Sequence, residues 1–353
     1  MDDLNSLWET YQNSGIFNTN IKEDTAKIKT PKCSDIYIST KTKIAFLNSK
    51  INLTEIFWKI PLIKYEIPKE GVIKKQIKIN SLNKSEVDIL EEKISNEENI
   101  NCEIIQQINN PNARKNKFKD IRKINIGCNT KDLISYRKKK KGAFYNCFAL
   151  ILRIFYSNKF KEIHIKVFNT GKLEIPGIQN DEMLYMALNN LINILQPFIE
   201  KKLTYDKNKI QTVLINSNFN CNYIINRNKL YDLLKFKYNI TSLYDPCSYP
   251  GIQSKFYFNS NYSNNDGICK CSKKCVSKNK KCYIVSFMIF RTGSVLIVGQ
   301  CNEIILNYIY KFLSNLLITE YDNISINNQI KNSEIKNKKK KKRKKKIIVY
   351  CNK

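Results

Sequence analysis

Two stretches of this chain repeat each other. Residues 167–177 read Val-Phe-Asn-Thr-Gly-Lys-Leu-Glu-Ile-Pro-Gly, and residues 289–299 read Ile-Phe-Arg-Thr-Gly-Ser-Val-Leu-Ile-Val-Gly. At an offset of 122 positions, Phe168, Thr170, Gly171 and Gly177 return as Phe290, Thr292, Gly293 and Gly299. A helical pattern follows each copy. Leu184, Leu188, Leu191 and Leu195 fall in register with Leu306, Tyr310, Leu313 and Leu317, one face of a helix in both cases. The Thr-Gly pair predicts a tight turn between two strands, with glycine free to take positive φ. The unit is therefore a hairpin followed by a helix, made twice. A chance likeness of two hairpins is the alternative, but the helix face recurs together with the turn.

Each copy has an upstream half. Residues 38–47 read as a strand, and 52–60 as a short helix stopped at Pro61. In the second copy, 210–217 read as a strand and 228–238 as a helix. Further strands are expected at 148–156 with 163–168, and at 255–258 with 283–290. Strand, helix, several strands and helix, done twice, predict an α+β fold. One long curved antiparallel sheet carries helices on one face and leaves the other uncovered. The expected organisation is an extension at 1–33 and a first repeat at 34–202, interrupted by a mobile insertion at about 69–120. A second repeat follows at 208–318 with a Cys-rich insertion at 259–282, and then a basic tail at 321–353.

The segment Tyr244-Asp245-Pro246-Cys247-Ser248-Tyr249-Pro250-Gly251 resembles the Tyr-Glu-Pro-x-x-Phe-Pro-Gly stretch in the second repeat of the TATA-box-binding protein family. The two hairpins resemble that family's Phe-x-Ser-Gly-Lys-x-x-x-Thr-Gly element, in the right order. Residues 38–42 and the cysteine-bearing insertion are similar to the divergent TATA-binding-protein-like proteins of large DNA viruses. The resemblance spans about residues 34–318. It implies a duplicated saddle with helices on the convex face and a concave seat for the DNA minor groove, where wedge aromatics enter base steps.

Carried over residue by residue, the resemblance places Phe168, Phe290 and Tyr249 at wedge positions. For the fourth, counting back without a gap from Arg153 gives Cys147, with Phe148 beside it. Ordinary core packing is the competing reading for each aromatic, and for Phe148 the favoured one. Alternation puts Thr170, Lys172, Glu174 and Pro176 on the Phe168 face, and Thr292, Ser294, Leu296 and Val298 on the Phe290 face. Thr40, Thr42 and Thr212 complete the expected floor, with Thr40 and Thr212 where the family has paired asparagines. Glu174 and Pro176 stand where the family has Val and Thr. A carboxylate has nothing to accept from A·T pairs in the minor groove, so TATA specificity does not follow from the resemblance.

Lysine and arginine total 61 against 31 acids, a formal charge of +30. Even after allowing for an A/T-rich genome, such an excess favours a polyanionic partner. Two basic runs, 137–141 and 338–346, offer sequence-independent phosphate contacts; the second also reads as an import signal or a run with no dedicated role. Cys269, Cys271, Cys275 and Cys282 form C-x-C-x3-C-x6-C, a set able to close one structural zinc site; free surface thiols are the alternative. The single histidine, His164, leaves little room for histidine-based catalysis, and no nucleotide-loop or metalloprotease motif is present.

No stretch reaches the roughly 18 apolar residues of a membrane span, and the acidic N-terminus has no signal-peptide core. An intracellular monomer is expected, in a nucleus or at a viral replication site in host cytoplasm. The expected function is a non-enzymatic, transcription-initiation-type factor on duplex DNA, A·T-rich by family likeness. Its expected partners are transcription factors or RNA polymerase components. The alternatives are a nucleic-acid or protein-interaction scaffold without promoter preference and, ranked last, an accessory domain of a nucleic-acid-processing enzyme.

Overall fold

The two Thr-Gly turns dictate where the sheet folds back on itself. Gly171 and Gly293 adopt φ of 81° and 80°, and their N–H groups donate to the carbonyls of Phe168 (2.9 Å) and Phe290 (3.0 Å). A Cβ at either glycine would run into a backbone carbonyl oxygen, that of Ser49 or that of Tyr223. Only glycine tolerates both the conformation and the contact.

The computed structural model describes residues 31–114, 117–134, 145–271 and 282–326. The first half runs β1 (Tyr37–Phe46), α1 (Leu53–Lys59), β2 (Gly71–Ser81), α2 (Lys84–Ser95), β3 (Ile100–Asn109), β4 (Phe118–Gly127), α3 (Thr130–Ile134), β5 (Cys147–Tyr156), β6 (Lys159–Phe168), β7 (Lys172–Ile178) and α4 (Asp181–Leu195). The second runs β8 (Gln211–Asn220), α5 (Arg227–Asp232), β9 (Ser242–Leu243), β10 (Ile252–Phe258), β11 (Tyr283–Ile289), β12 (Ser294–Gly299), α6 (Glu303–Thr319) and α7 (Tyr321–Ile324). Segment 1–30, the run at 137–141, Cys275 and the tail from 327 lie outside the described residues.

All strands join one open, curved antiparallel sheet in the order β3-β4-β2-β5-β6-β7-β1-β8-β12-β11-β10-β9. From the central β1–β8 pair outward, β7-β6-β5-β2 on one side matches β12-β11-β10-β9 on the other. The duplication read from the hairpins is thus a near-twofold arrangement. The helices other than the short α3 cover one face. In α4, Leu184, Leu188, Leu191 and Leu195 are fully buried, and in α6 Ile309, Leu313 and Leu317 are. Both helices start at an asparagine whose side chain caps the first turn: Asn180 accepts from Met183 N–H and Asn302 from Ile305 N–H, each at 2.9 Å. Each repeat closes its own core, split at the central strands. Removing one of these leucines would cost about 2–5 kcal/mol.

The segment expected as a mobile insertion at 69–120 is built instead of regular elements. β2 is the first repeat's own second strand, while α2, β3 and β4 extend the sheet beyond it. Polar residues hold this extension together on its helix side. Asp120 is fully buried and takes two bonds from Arg122 (2.8 and 3.1 Å), which also pairs with Glu91 of α2 (2.8 Å). Lys75, 2% exposed, donates to the carbonyls of Trp58 (3.2 Å) and Ile60 (3.1 Å), so it satisfies the last turn of α1. Burial lowers its pKa. In the second repeat, the helix expected at 228–238 begins as α5 and ends in a π-turn at Leu233–Lys237.

Candidate nucleic-acid interface

Opposite the main helices, alternate side chains of the strands form a floor that the described residues leave uncovered. On β1 these are Thr40, Thr42 and Ile44; on β8, Leu214, Asn216, Asn218 and Asn220; on β12, Ser294, Leu296 and Val298. None is fully buried, whereas their neighbours Ala45, Ile215, Ser217, Phe219, Val295 and Ile297 are. Registry ties them into one surface: Thr40 faces Asn216, which faces Val298, and Thr42 faces Leu214. The Oδ1 of Asn216 is buried and has no hydrogen-bond partner. Asn218 donates to Ser39 Oγ (2.7 Å).

One expected floor residue is displaced. The β1–β8 register shifts between Thr42 and Lys43, which sets Thr212 opposite Lys43. Lys43 pairs with Asp181 at the start of α4 (3.0 Å), so Thr212 belongs to the helix side. Leu214 takes the place related by the twofold to Thr40. Alternation counted from sequence cannot anticipate this, because a bulge adds a residue without any marker residue type.

The wedge candidates divide. Phe168 and Phe290 lie on the uncovered face and are only partly buried, outside both cores. Lys172 Nζ lies 5.4 Å from the Phe168 ring centre. Tyr249 meets Phe290 with ring centres 5.9 Å apart and planes tilted by 59°. Gly251 makes this pairing possible: a Cβ there would sit 3.0 Å from the Phe290 ring and 3.1 Å from that of Tyr249. Phe148 takes the core place favoured for it and is not a wedge. It is fully buried on the helix side, 6.2 Å from the Phe57 ring, and paired with Val167. Cys147 pairs with Phe168 as Gly251 adjoins Phe290. The counterpart of Tyr249 is therefore Tyr145, two residues before Cys147. Tyr145 is half exposed, with Lys78 Nζ 3.9 Å from its ring centre. The Cys147–Phe168 pairing was the missing signal.

The departures at Glu174 and Pro176 have local causes. Glu174 accepts from Lys166 Nζ at 2.6 Å, and each side chain is about a quarter exposed. The floor under the first repeat thus carries an ion pair where Leu296 stands in the second. Pro176 and Gly177 form a bulge against β1, with Gly177 at φ 87°. A bulge is where a strand tolerates a residue with no N–H. Thr170 and Thr292 occupy the exposed turns rather than the strands. His164 also lies on the uncovered face, opposite Ile151.

At the far end of the second repeat, the sulfurs of Cys269, Cys271 and Cys282 all lie within 4.8 Å of one another. Cys271 and Cys282 are 3.5 Å apart. The Asn259 amide faces both, at 4.0 and 3.8 Å. Asn259 and Asn265 bond reciprocally (2.7 and 3.1 Å), and Asn265 N–H donates to Tyr308 of α6 (2.9 Å). This cluster could hold a metal ion: tetrahedral zinc–thiolate sites place their sulfurs roughly 3.8 Å apart. Among the described residues, no helix is long and apolar enough to cross a membrane.

No protein-family profile matches the chain. It is similar to a protein described as TATA-box-binding protein-like from Acanthamoeba polyphaga mimivirus. The two are 29% identical over 218 residues, 55% of this chain and 54% of that protein. The chain spans about half the length of this relative, and the match agrees with the resemblance read from the motifs. Among solved structures, one described as Methanococcus jannaschii TBP aligns with 81% of this chain and 99% of its own, at 12% identity and a TM-score of 0.38.

Proposed function

We propose that the uncovered face seats duplex nucleic acid in its minor groove, and that the chain acts as a non-enzymatic, transcription-initiation-type DNA-binding factor. One observation carries this reading: an open floor centred on Thr40, Thr42, Leu214, Asn216, Leu296 and Val298 has partly exposed aromatics at two places, Phe168 and the Phe290–Tyr249 pair. Minor-groove binders combine amide donors on the floor with apolar wedges that unstack base steps. The unpartnered atom of Asn216 is its Oδ1, an acceptor, which among minor-groove base edges the guanine amino group would satisfy. The formal charge of +30 supplies the sequence-independent attraction. The likeness to a TATA-box-binding protein-like relative supports the same reading.

The Lys166–Glu174 pair favours a second reading, binding with little A·T preference. Selection of bound sequences from a random duplex pool, with bending measured on the recovered duplexes, separates the two. Bending with an A·T-rich consensus supports the first reading, and bending without a consensus the second. Absence of both binding and bending at low salt overturns the seat altogether.

The cysteine cluster fits one structural zinc, with Cys269, Cys271 and Cys282 as thiolate ligands and Cys275, outside the described residues, as the expected fourth. The Asn259 amide would donate toward two of the sulfurs. Metal analysis of protein purified without chelator is expected to give about one zinc per chain. Less than a tenth of an equivalent, with freely reactive thiols or an oxidised Cys271–Cys282 pair, rules this out.

A further inference from the structure

The uncovered face does not end where the first repeat ends. One registered row crosses seven strands: Asn101 on β3, Asn125 on β4, Gln76 on β2, Ala149 on β5, Lys166 on β6, Glu174 on β7 and Ile44 on β1. Its inner end is the floor described above, and its outer end is three adjacent amides, Gln76 on β2 and Asn125 and Asn101 on the two inserted strands. The neighbouring row on those strands sets Glu103, Lys123 and Lys78 side by side. Among the described residues the second repeat has no equivalent, and its sheet ends there at the two-residue β9.

The residues after β4 wall this outer surface into a groove. Thr130 is tied to Glu162 of β6 through its N–H (3.0 Å) and its hydroxyl (2.5 Å), and Tyr65 bonds the same hydroxyl (2.9 Å). Asp132 is held by Lys74 (2.6 Å). The groove so formed is about 980 Å³; its polar lining includes Lys74, Lys123 and Lys131, the three amides with Asn129, His164 and one carboxylate, Asp132, beside apolar Ile134 and Ile151. Among the described residues no aromatic ring lines it. Its donors are ammonium and amide groups, which is the chemistry that recognises phosphate and sugar oxygens.

We propose that this groove is a second, insertion-built nucleic-acid site that grips the sugar–phosphate backbone beyond one end of the seat, making the bound footprint longer on the first-repeat side. This rests on the seat proposed above. Two extra strands at about 4.8 Å each add roughly 10 Å, or about three base pairs at 3.4 Å each. Lys131 is exposed on α3 and Asn125 is half-buried on β4, outside the floor, so Lys131→Glu with Asn125→Ala alters the groove without touching a core or the seat.

The experiment compares the full chain and this double variant, matched in melting temperature, by footprinting on a bound duplex and by salt dependence of affinity. A second arm measures binding of a random single-stranded oligonucleotide, which cannot form a bent minor-groove complex. The expected result is loss of protection on one flank only, a log–log salt slope smaller by about 0.9 per lost phosphate contact, unchanged bending, and weaker single-strand binding. An unchanged footprint and slope with bending intact overturns the groove and leaves the seat standing. Single-strand binding that weakens in the variant, when the wild-type chain does not bend duplexes, keeps the groove and rejects the seat.

Discussion

Replacing Glu174 with Gln is the sharpest probe of the floor. Glu174 and Lys166 are bonded at 2.6 Å, with side chains 28% and 22% exposed. A pair so placed at the edge of solvent contributes about 0.5–1 kcal/mol to stability, so the variant should melt only a few degrees lower. Its effect on binding should be larger and opposite in sign. The substitution removes a carboxylate from a surface expected to face phosphates and leaves the Lys166 ammonium to meet one. One added phosphate contact steepens the log–log salt slope by about 0.9, equivalent to roughly eightfold tighter binding at 0.1 M salt and about fourfold at 0.2 M, relative to 1 M. Fluorescence anisotropy on one duplex over a salt series gives both numbers, and Lys166→Ala in the same background should cancel the gain. Weaker binding at an unchanged slope would refute the reasoning: Glu174 would then be positioning Lys166 for the duplex rather than occupying it.

The aromatic assignments separate in the same assays. Phe290→Ala should reduce the bend while leaving the melting temperature and salt slope nearly unchanged, whereas Phe148→Ala, buried against Phe57, should cost about 3–5 kcal/mol of stability; strong destabilisation by Phe290→Ala with normal bending would place that ring in the core. Tyr145→Ala should behave like Phe290→Ala if Tyr145 fills the fourth position. Glu320, which accepts from Lys237 (2.6 Å), Tyr238 (2.7 Å) and Asn323 (2.8 Å), has its pKa lowered to about 2, chiefly by the Lys237 bond. A depressed carboxylate stabilises the fold above its unfolded pKa of about 4.3, and that contribution disappears as pH falls through about 2. Glu320→Gln should therefore lose of the order of 2–3 kcal/mol near neutrality and show a flatter acid limb between about pH 5 and pH 2; an acid limb as steep as the wild type's in urea melts would show that Glu320 is not responsible.

The duplication was legible because turns and helix faces mark sequence strongly. A glycine forced to positive φ beside a carbonyl, as at Gly171 and Gly293, leaves a residue that cannot be exchanged. Leucines at helical spacing leave a pattern that survives divergence. The insertion was illegible for the converse reason. On β4 the helix-side positions hold Asp120 and Arg122, and on β2 one holds Lys75, all buried by pairing rather than by apolarity. The two-residue alternation of apolar and polar side chains is therefore cut to short stretches, 77–80 on β2 and 123–126 on β4. On β3, an edge strand exposed along most of its length, burial imposes no alternation to read.

At the candidate site, the errors came from register. Tyr145 lies just before β5, so only the pairing of Cys147 with Phe168 identifies it with Tyr249. Thr212 matches a floor asparagine of the family by position, but the register shift between Thr42 and Lys43 puts Leu214 in that place. Residue type told which side chains could enter a groove; the hydrogen-bond ladder decided which of them face it. The same ladder carries the floor onto β4 and β3. The first-repeat half of the seat therefore differs from the second in both chemistry and extent: an ion pair and a walled cationic groove on one side, three asparagines on β8 and a two-residue edge strand on the other. A duplex bound to so unequal a pair of halves has one favoured direction, even where the sequence it covers is symmetric.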